Sequence, residues 1–213
     1  PKAITRMTLF YLRRRNYTAN QAFRIALLRG GYGAQRTARV VLKPFQRVLA
    51  KTVPTLALML RNRFPKAGAK TFREVFKLKS PEMFYLFRNP DIPCRETVFY
   101  FPGCGSERMF SDISFAVLAV LHQIGVQVLV PPSYLCCGYP IAANGQTNEA
   151  ESQMYDNTLL FHRVANTAAY LKIRHVLVSC GTCFEMLGRY GLDAVFPGSQ
   201  IIDVNDYLID QGL

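Results

Sequence analysis

The stretch that decides the fold is residues 175–190, which read HVLVSCGTCFEMLGRY. Its first part, His175–Ser179, is rich in branched apolar residues and predicts a buried β-strand. Two cysteines follow directly, and the pattern from Cys183 to Tyr190 then predicts a helix that Gly191 ends. The stretch therefore predicts a strand whose carboxyl end passes through a cysteine-bearing loop into a helix.

The same order of strand, loop and helix recurs on both sides of that stretch. Before that stretch we predict strands at Thr97–Phe101 and Val126–Val130, and between them a helix that is capped by Ser106 or Ser111 and ends near Gln123, before Gly125. A loop over Cys136–Gly145 follows, and then a helix from about Asn148 to Leu171 with Asn148 and Glu151 as a capping box. After the stretch we predict a further strand at Ile201–Val204. Strands that alternate with helices at this spacing predict an α/β fold, a Rossmann-like parallel sheet with helices over its faces.

The charge changes sign along the chain, although the net value is +12. Residues 1–97 hold 21 Lys and Arg against four acidic residues, a net +17, whereas residues 98–213 have a net charge of −5. Amphipathic patterns at Tyr17–Arg29 and Thr37–Lys51 predict helices in the basic part. We therefore predict a basic all-helical segment over residues 1–96 and a cysteine-rich domain over residues 97–213, with the boundary near Pro90–Pro93.

Apolar stretches in this chain are too short for a membrane protein. The longest, Val53–Leu60 and Phe115–Leu121, fall far below the roughly 18 residues that a membrane span needs. The chain begins Pro1-Lys2 without Met, which is expected of a fragment of a longer protein or of a native mature N-terminus, and the lack of a secretory leader predicts a cytoplasmic protein. Because two of the cysteines are adjacent, we expect reduced thiols rather than a disulfide framework.

Five cysteines each lie just beyond the carboxyl end of a predicted strand. Cys104 follows the first strand, the adjacent pair Cys136-Cys137 follows the second, and Cys180 and Cys183 follow the third. Loops at the carboxyl ends of parallel strands share one edge of the sheet, and ligands bind there. We therefore expect the five thiols to converge at that edge, where a bound cation would favour the ligating thiolate form.

Five converging thiolates limit what the site can hold. A tetrahedral zinc ion and an ordinary 4Fe–4S cubane each take four ligands. Adjacent cysteines reach one ion only with a strained backbone, whereas a multi-iron cluster offers them separate irons. The set favours an opened iron–sulfur cluster, or four ligands with one reactive thiol.

Three short motifs carry a family resemblance: Pro102-Gly103-Cys104, Cys136-Cys137-Gly138-Tyr139-Pro140 and Ser179-Cys180-Gly181-Thr182-Cys183. Between them lie 31 residues from Cys104 to the adjacent pair and 42 residues from the pair to Cys180. From about residue 97 to residue 210 the chain resembles the cysteine-rich CCG domain of heterodisulfide reductase and of the iron–sulfur subunits of glycolate and lactate oxidases. The second spacer is several residues longer than is usual there, and the motif occurs once where members often carry two copies.

The resemblance implies that a noncubane 4Fe–4S cluster is ligated by Cys104, Cys136, Cys137, Cys180 and Cys183, with zinc as the alternative found in some copies. It implies an electron-transfer module of a flavin-linked oxidoreductase of the 2-hydroxyacid, lactate or glycolate type, with FAD on a partner domain or subunit and with flavoprotein and iron–sulfur partners. Alternative functions are heterodisulfide-reductase-like thiol and disulfide chemistry at the cluster, or a zinc-stabilised basic module that binds nucleic acid or lipid. Gly138 and Gly181 would let the backbone approach the cluster, and Gly103 and Gly105 would shape the first loop.

The basic residues allow three interpretations: nucleic-acid binding, contact with the inner face of a membrane, or docking to a neighbouring protein domain. Arg13-Arg14-Arg15 beside apolar residues is compatible with a membrane surface, whereas no nucleic-acid-binding signature is present, so nucleic acid is the weakest of the three. Gly30-Gly31-Tyr32-Gly33 follows a predicted helix rather than a strand, which indicates a helix stop and not a phosphate loop.

Several residues are expected to have no part in the site. Cys94 lies outside the motif and is expected to be a bystander, and His122, His162 and His175 are scattered along the chain. Cys180 and Cys183 alone would fit a thioredoxin-like redox pair, but the other three cysteines argue against that interpretation.

Overall fold

A computed structural model describes residues 70–78, 80, 83–132 and 135–213 of the chain. The predicted helices at Tyr17–Arg29 and Thr37–Lys51 lie outside these residues, as do Arg13-Arg14-Arg15 and the glycine-rich stretch Gly30–Gly33. The predicted cysteine-rich domain, residues 97–213, lies within the described part except for residues 133 and 134.

Five strands in the described part of the chain form one sheet. They are β1 (Tyr85–Phe87), β2 (Glu96–Phe101), β3 (Val126–Val130), β4 (His175–Val178) and β5 (Gln200–Asp203). The order across the sheet is β1-β3-β2-β4-β5; β1 is antiparallel to β3, and the other neighbours are parallel. This confirms the predicted α/β fold with a mostly parallel, Rossmann-like sheet.

Seven α-helices accompany the sheet in the described residues. They are α1 (Phe72–Val75), α2 (Ser111–Gln123), α3 (Tyr139–Ala143), α4 (Thr147–Thr167), α5 (Gly181–Leu187), α6 (Leu192–Val195) and α7 (Val204–Asp210). A π-helical turn over Gly105–Met109 precedes α2, and a 3₁₀ turn over Ala169–Leu171 follows α4. No helix among these is both long and apolar enough to pass through a bilayer.

The central strands are buried on both faces, as strands of a parallel sheet covered by helices must be. Alternate residues of β2 divide between two clusters, with Phe99 and Phe101 on one face and Val98 and Tyr100 on the other. Residues of α4, α5 and α6 complete the first cluster, and residues of α1, α2 and α7 complete the second. The helices therefore cover both faces and leave the carboxyl ends of the strands as the edge at which loops gather.

Strand β1 differs from the expectation of an all-helical segment before residue 97. Tyr85–Phe87 pairs with β3 along an outer edge of the sheet. It escaped prediction because three residues show too little alternation to be recognised. The division into residues 1–96 and 97–213, drawn from charge, stays a prediction, since most of the basic part lies outside the described residues.

Helix boundaries were predicted less well than strands. No side-chain cap bond is found at the start of α2 or of α4, so the capping roles given to Ser106, Ser111 and the Asn148–Glu151 box are wrong. Ser111 instead donates to the Lys70 carbonyl at 2.8 Å. The expected loop Cys136–Gly145 contains helix α3, and the helix expected over Cys183–Tyr190 begins at Gly181 and ends at Leu187.

Candidate metal centre

The five motif cysteines follow the carboxyl ends of three strands that are neighbours in the sheet, and Cys183 lies in the first turn of α5. Cys104 follows β2, the pair Cys136-Cys137 follows β3, and Cys180 and Cys183 follow β4. Because β2 lies between β3 and β4, parallel to both, the three loops leave the same edge side by side. The topology therefore brings together residues that are more than 30 positions apart in sequence.

The thiols interact with one another in an unbroken series. Cys104 interacts with Cys136, Cys136 with Cys137, Cys137 with Cys183, and Cys183 with Cys180. Cys137 and Cys183, which interact with each other, are buried, and the other three are half-buried. All five predicted site residues are thus placed together.

Protonation of these thiols is uneven, because each shares hydrogen bonds with its neighbours. The Cys136 thiol, and then burial, raise the pKa of Cys104. The Cys183 thiol holds the pKa of Cys180 down to about 4, and the thiols of Cys136 and Cys183 also lower the pKa of Cys137. Conversely, Cys137 and Cys180 raise the pKa of Cys183. The site thus favours thiolates at Cys137 and Cys180 beside protonated neighbours, and a metal cation would displace those protons.

Cys94, expected to be a bystander, lies before the amino end of β2, whereas the other five cysteines follow carboxyl ends. Its thiol is exposed and contacts the Glu96 carbonyl at 3.5 Å. His175 also lies at an amino end, that of β4, where its Nδ1 is 2.8 Å from a Glu96 carboxylate oxygen. His122 and His162 are exposed on α2 and α4.

Of the four glycines that were expected to shape the loops, two have backbone conformations that favour glycine. Gly103 and Gly138 have φ angles of +64° and +87°, a region that L side chains rarely adopt. A Cβ on Gly103 would lie 2.7 Å from the Cys183 sulfur, so this glycine lets the first loop contact the third. A Cβ on Gly105 or Gly181 would meet no described atom within 4 Å.

A network of hydrogen-bonded hydroxyls, which sequence reasoning missed, joins the first and third loops. The Tyr100 hydroxyl lies 3.0 Å from Ser114 Oγ and 2.9 Å from Ser179 Oγ. Ser179 donates to Ser106 Oγ at 2.9 Å, and Ser114 donates to the Ser106 carbonyl at 2.9 Å. Burial raises the pKa of Tyr100 to about 12, so it stays a neutral phenol. These bonds tie the segment after Cys104 to the residue before Cys180.

The second loop is held by two side chains that were also missed. Asn157 of α4 donates to the Cys136 carbonyl at 2.8 Å, and Tyr190 donates to the Cys137 carbonyl at 3.1 Å. Neither residue carries a motif, and their roles depend on contacts 21 and 53 residues away along the chain. No local sequence signal could have found them.

The donor set consists of sulfur, the ligand type that iron–sulfur clusters and zinc select. The part of the chain that the structure describes contains no group of three or more His, Cys, Asp or Glu placed to hold a single metal ion. Five thiols at one edge, on segments held by Gly103 and by side-chain hydrogen bonds, do fit a group that presents several metal atoms.

Part of the chain matches a known family of protein domains. A family of cysteine-rich domains, CCG, matches residues 98–188, a range that includes all five thiols.

Three proteins that are similar to this chain are named as iron–sulfur proteins or as subunits of oxidoreductases. An uncharacterised iron–sulfur protein of Methanococcus maripaludis is 24% identical over 73% of the chain. One subunit of the fumarate reductase (CoM/CoB) of Methanothermobacter marburgensis is 27% identical over 53% of the chain, and a probable glycolate oxidase iron–sulfur subunit of Bacillus subtilis is 26% identical over 46%.

The chain spans only part of each of these relatives, namely 34%, 21% and 20% of their respective lengths. No solved structure matches the chain.

Proposed function

We propose that the chain, whose residues 98–188 match the CCG family of cysteine-rich domains, is an iron–sulfur electron-transfer module. The proposal rests above all on the five cysteines that the sheet topology brings to one edge. The proposed ligands of a 4Fe–4S cluster, noncubane because it takes five, are Cys104, Cys136, Cys137, Cys180 and Cys183. Such a cluster supplies one-electron chemistry when bound.

The arrangement of the sulfurs favours a cluster over a zinc ion. A zinc site closes four ligands around one point, whereas here five thiols interact with one another at one edge of the sheet. The adjacent cysteines are also more easily accommodated on separate metal atoms than on one.

The chain's own residues would set how the group is held. Gly103 allows the Cys183 sulfur to approach the first loop, and the buried hydroxyl of Tyr100 ties the first loop to the third. The half-buried Cys180 is followed by the exposed Gly181 and Thr182. We propose that electrons enter or leave at this turn, where the least protein separates the thiols from solvent.

Electrons would come from a flavin on a partner domain or subunit, in an oxidoreductase that acts on a 2-hydroxyacid such as lactate or glycolate. The support is the name of the Bacillus subtilis relative, a probable glycolate oxidase iron–sulfur subunit. The chain matches only 20–34% of its relatives' lengths, which is consistent with a module that works beside other domains.

A second candidate function is thiol and disulfide chemistry at the same site, favoured by the exposure of the Cys180–Thr182 turn to solvent. Reduction of a disulfide to two thiols takes two electrons and two protons. The flavin partner would supply the electrons one at a time. A thiol substrate added to the oxidised protein would then change its EPR spectrum, whereas a pure electron carrier would show no response.

Anaerobic purification, followed by analysis of iron, acid-labile sulfide and zinc together with EPR, tests the proposed function. We expect iron and sulfide in equal amounts, with about four of each per chain, the composition of a 4Fe–4S cluster. Zinc without sulfide would overturn the proposal and leave a structural metal module.

Serine variants of the adjacent cysteines test the five-ligand set. We expect Cys136→Ser and Cys137→Ser each to lower the iron content or change the EPR spectrum, because each removes one sulfur ligand. Cys94→Ser is the matched control, since this exposed thiol lies before the amino end of β2. A wild-type iron content and spectrum in either of the first two variants would contradict ligation by both cysteines.

A further inference from the structure

The adjacent cysteines lie in a segment with no regular secondary structure. Residues 135–137 belong to neither helix nor strand, and α3 begins only at Tyr139. The carbonyls of Cys136 and Cys137 instead accept hydrogen bonds from the side chains of Asn157 and Tyr190, at 2.8 Å and 3.1 Å. The orientation of these two peptide groups is therefore set by side chains.

Asn157 and Tyr190 form one unit with satisfied hydrogen bonds. Asn157 Nδ2 also donates to the Tyr190 hydroxyl at 2.9 Å, and Asn157 Oδ1 accepts from Gln153 Nε2 at 3.1 Å. Both amide donors of Asn157 are used, and the phenol accepts one bond and donates another. The bond from Gln153 sets which way the amide faces, so its NH₂ group points toward the cysteine segment.

This unit is rigid because it is buried and packed. Asn157 is 1% exposed and Tyr190 is 7% exposed. The Tyr190 ring lies 6.0 Å from the ring of Phe161, which in turn packs edge-on against Phe99 of β2 at 5.3 Å. Asn157 and Tyr190 are thus fixed by the hydrophobic core of the domain, and their hydrogen bonds hold the otherwise irregular segment against that core.

Orientation of these peptides also controls what the sulfurs contact. A peptide bond is planar and trans, so the carbonyl of Cys137 fixes the direction of the Gly138 N–H on its other side. That N–H donates to the Cys136 sulfur, and the N–H of Tyr139 donates to the Cys137 sulfur. Hydrogen bonds to ligand sulfurs are among the factors that set the reduction potential of an iron–sulfur cluster.

We propose that Asn157 and Tyr190 are positioning residues that hold the Cys136–Cys137 peptides, aim the Gly138 N–H at the Cys136 sulfur, and thereby set the reduction potential of the metal group held there. The proposal rests on the proposed iron–sulfur function. Neither residue contacts the metal group in this scheme; both act through the backbone of its ligands.

Tyr190→Phe tests the proposal, because it removes one hydroxyl and keeps the packed ring. We expect the midpoint potential, measured by EPR-monitored redox titration, to shift to more negative values, since a sulfur that loses a hydrogen bond stabilises the reduced state less. Asn157→Ala should shift it in the same direction, and the double variant by less than the sum of the two, because the residues act as one unit. Tyr155→Phe is the control, since Tyr155 lies on α4, as Asn157 does, and is 65% exposed.

A second readout does not depend on metal. In the metal-free protein the Gly138 amide should exchange with solvent deuterium several-fold faster in Tyr190→Phe than in the Tyr155→Phe control. Wild-type potentials in both Tyr190→Phe and Asn157→Ala, with unchanged Gly138 exchange, would overturn the positioning role while leaving the iron–sulfur function standing. A wild-type protein without iron and sulfide would instead overturn the proposed function, and the exchange experiment would still decide whether the two residues hold the segment.

Discussion

Gly103→Ala will displace the Cys183 thiol and deprive the domain of most of its iron. The added Cβ would lie 2.7 Å from the Cys183 sulfur, and a real Cβ does not approach another heavy atom so closely. The φ angle of +64° adds backbone strain, because alanine in this region costs about 1–2 kcal/mol. We expect the free energy of unfolding of the metal-free protein to fall by about 1–3 kcal/mol, as strain at a special φ angle predicts.

Gly105→Ala is the matched control for this experiment. Gly105 lies two residues away in the same loop, its φ is not positive, and a Cβ there would meet no described atom within 4 Å. Denaturant unfolding of both metal-free variants, with iron analysis after anaerobic purification, makes the comparison. Equal iron content and stability in the two variants would show that the contact between Gly103 and Cys183 does not limit the site.

Arg73→Ala will destabilise the domain by about 3–5 kcal/mol, the cost of leaving a buried carboxylate without its partner. Arg73 Nε donates to Glu107 Oε1 at 2.6 Å, and the same guanidinium donates to the carbonyls of Pro131 and Pro132 at 2.8 Å each. Glu107 is only 2% exposed, and its Oε2 accepts no hydrogen bond from a described residue. The substitution therefore removes these three hydrogen bonds and the charge with the larger effect on the carboxylate, although Arg108 also lowers its pKa.

The loss will depend on pH in a predictable direction. Burial raises the pKa of Glu107 above its ordinary 4.5, and the charge of Arg73 opposes that rise. A carboxyl group whose folded pKa is raised contributes stability that is full below the unfolded pKa and is lost as pH rises through the folded pKa. Because Arg73→Ala removes an opposing charge, the folded pKa of Glu107 rises further, and the deficit relative to wild type grows as pH rises from the wild-type folded pKa toward the higher folded pKa of the variant.

Denaturant unfolding of the metal-free protein at several pH values measures this effect. Adding Glu107→Gln to Arg73→Ala should recover part of the stability and remove the pH dependence, because no buried charge then remains. Arg189→Ala is the control, since its exposed ion pair with Glu185, at 3.5 Å, is worth about 1 kcal/mol or less. A deficit that is the same at low and high pH would mean that the Glu107 charge is not its cause.

Local patterns were enough to predict the part of the fold that carries the site. Four short apolar runs, the first three of them followed by a loop and a predicted helix, predicted the parallel strands to within one residue at each end, because buried parallel strands have a recognisable composition. Residue type and spacing alone therefore placed the cysteines after Phe101, Val130 and Val178 at one edge. Helix starts were predicted less well: Ser106 has capping chemistry, but its side chain bonds to Ser179 instead.

By itself, then, the sequence determined the α/β class, the parallel strands and the common edge of the five thiols, because each follows from residue type and spacing along the chain. Only the tertiary structure decided that β2 lies between β3 and β4, that β1 joins the sheet in the opposite direction, and which side chains support the site. Asn157, Tyr190 and Arg73 have no motif, and their partners lie 21 to 59 residues away in sequence. Such contacts form only when helices and strands pack and bring distant donors and acceptors together. Residue type and local spacing therefore do not predict them.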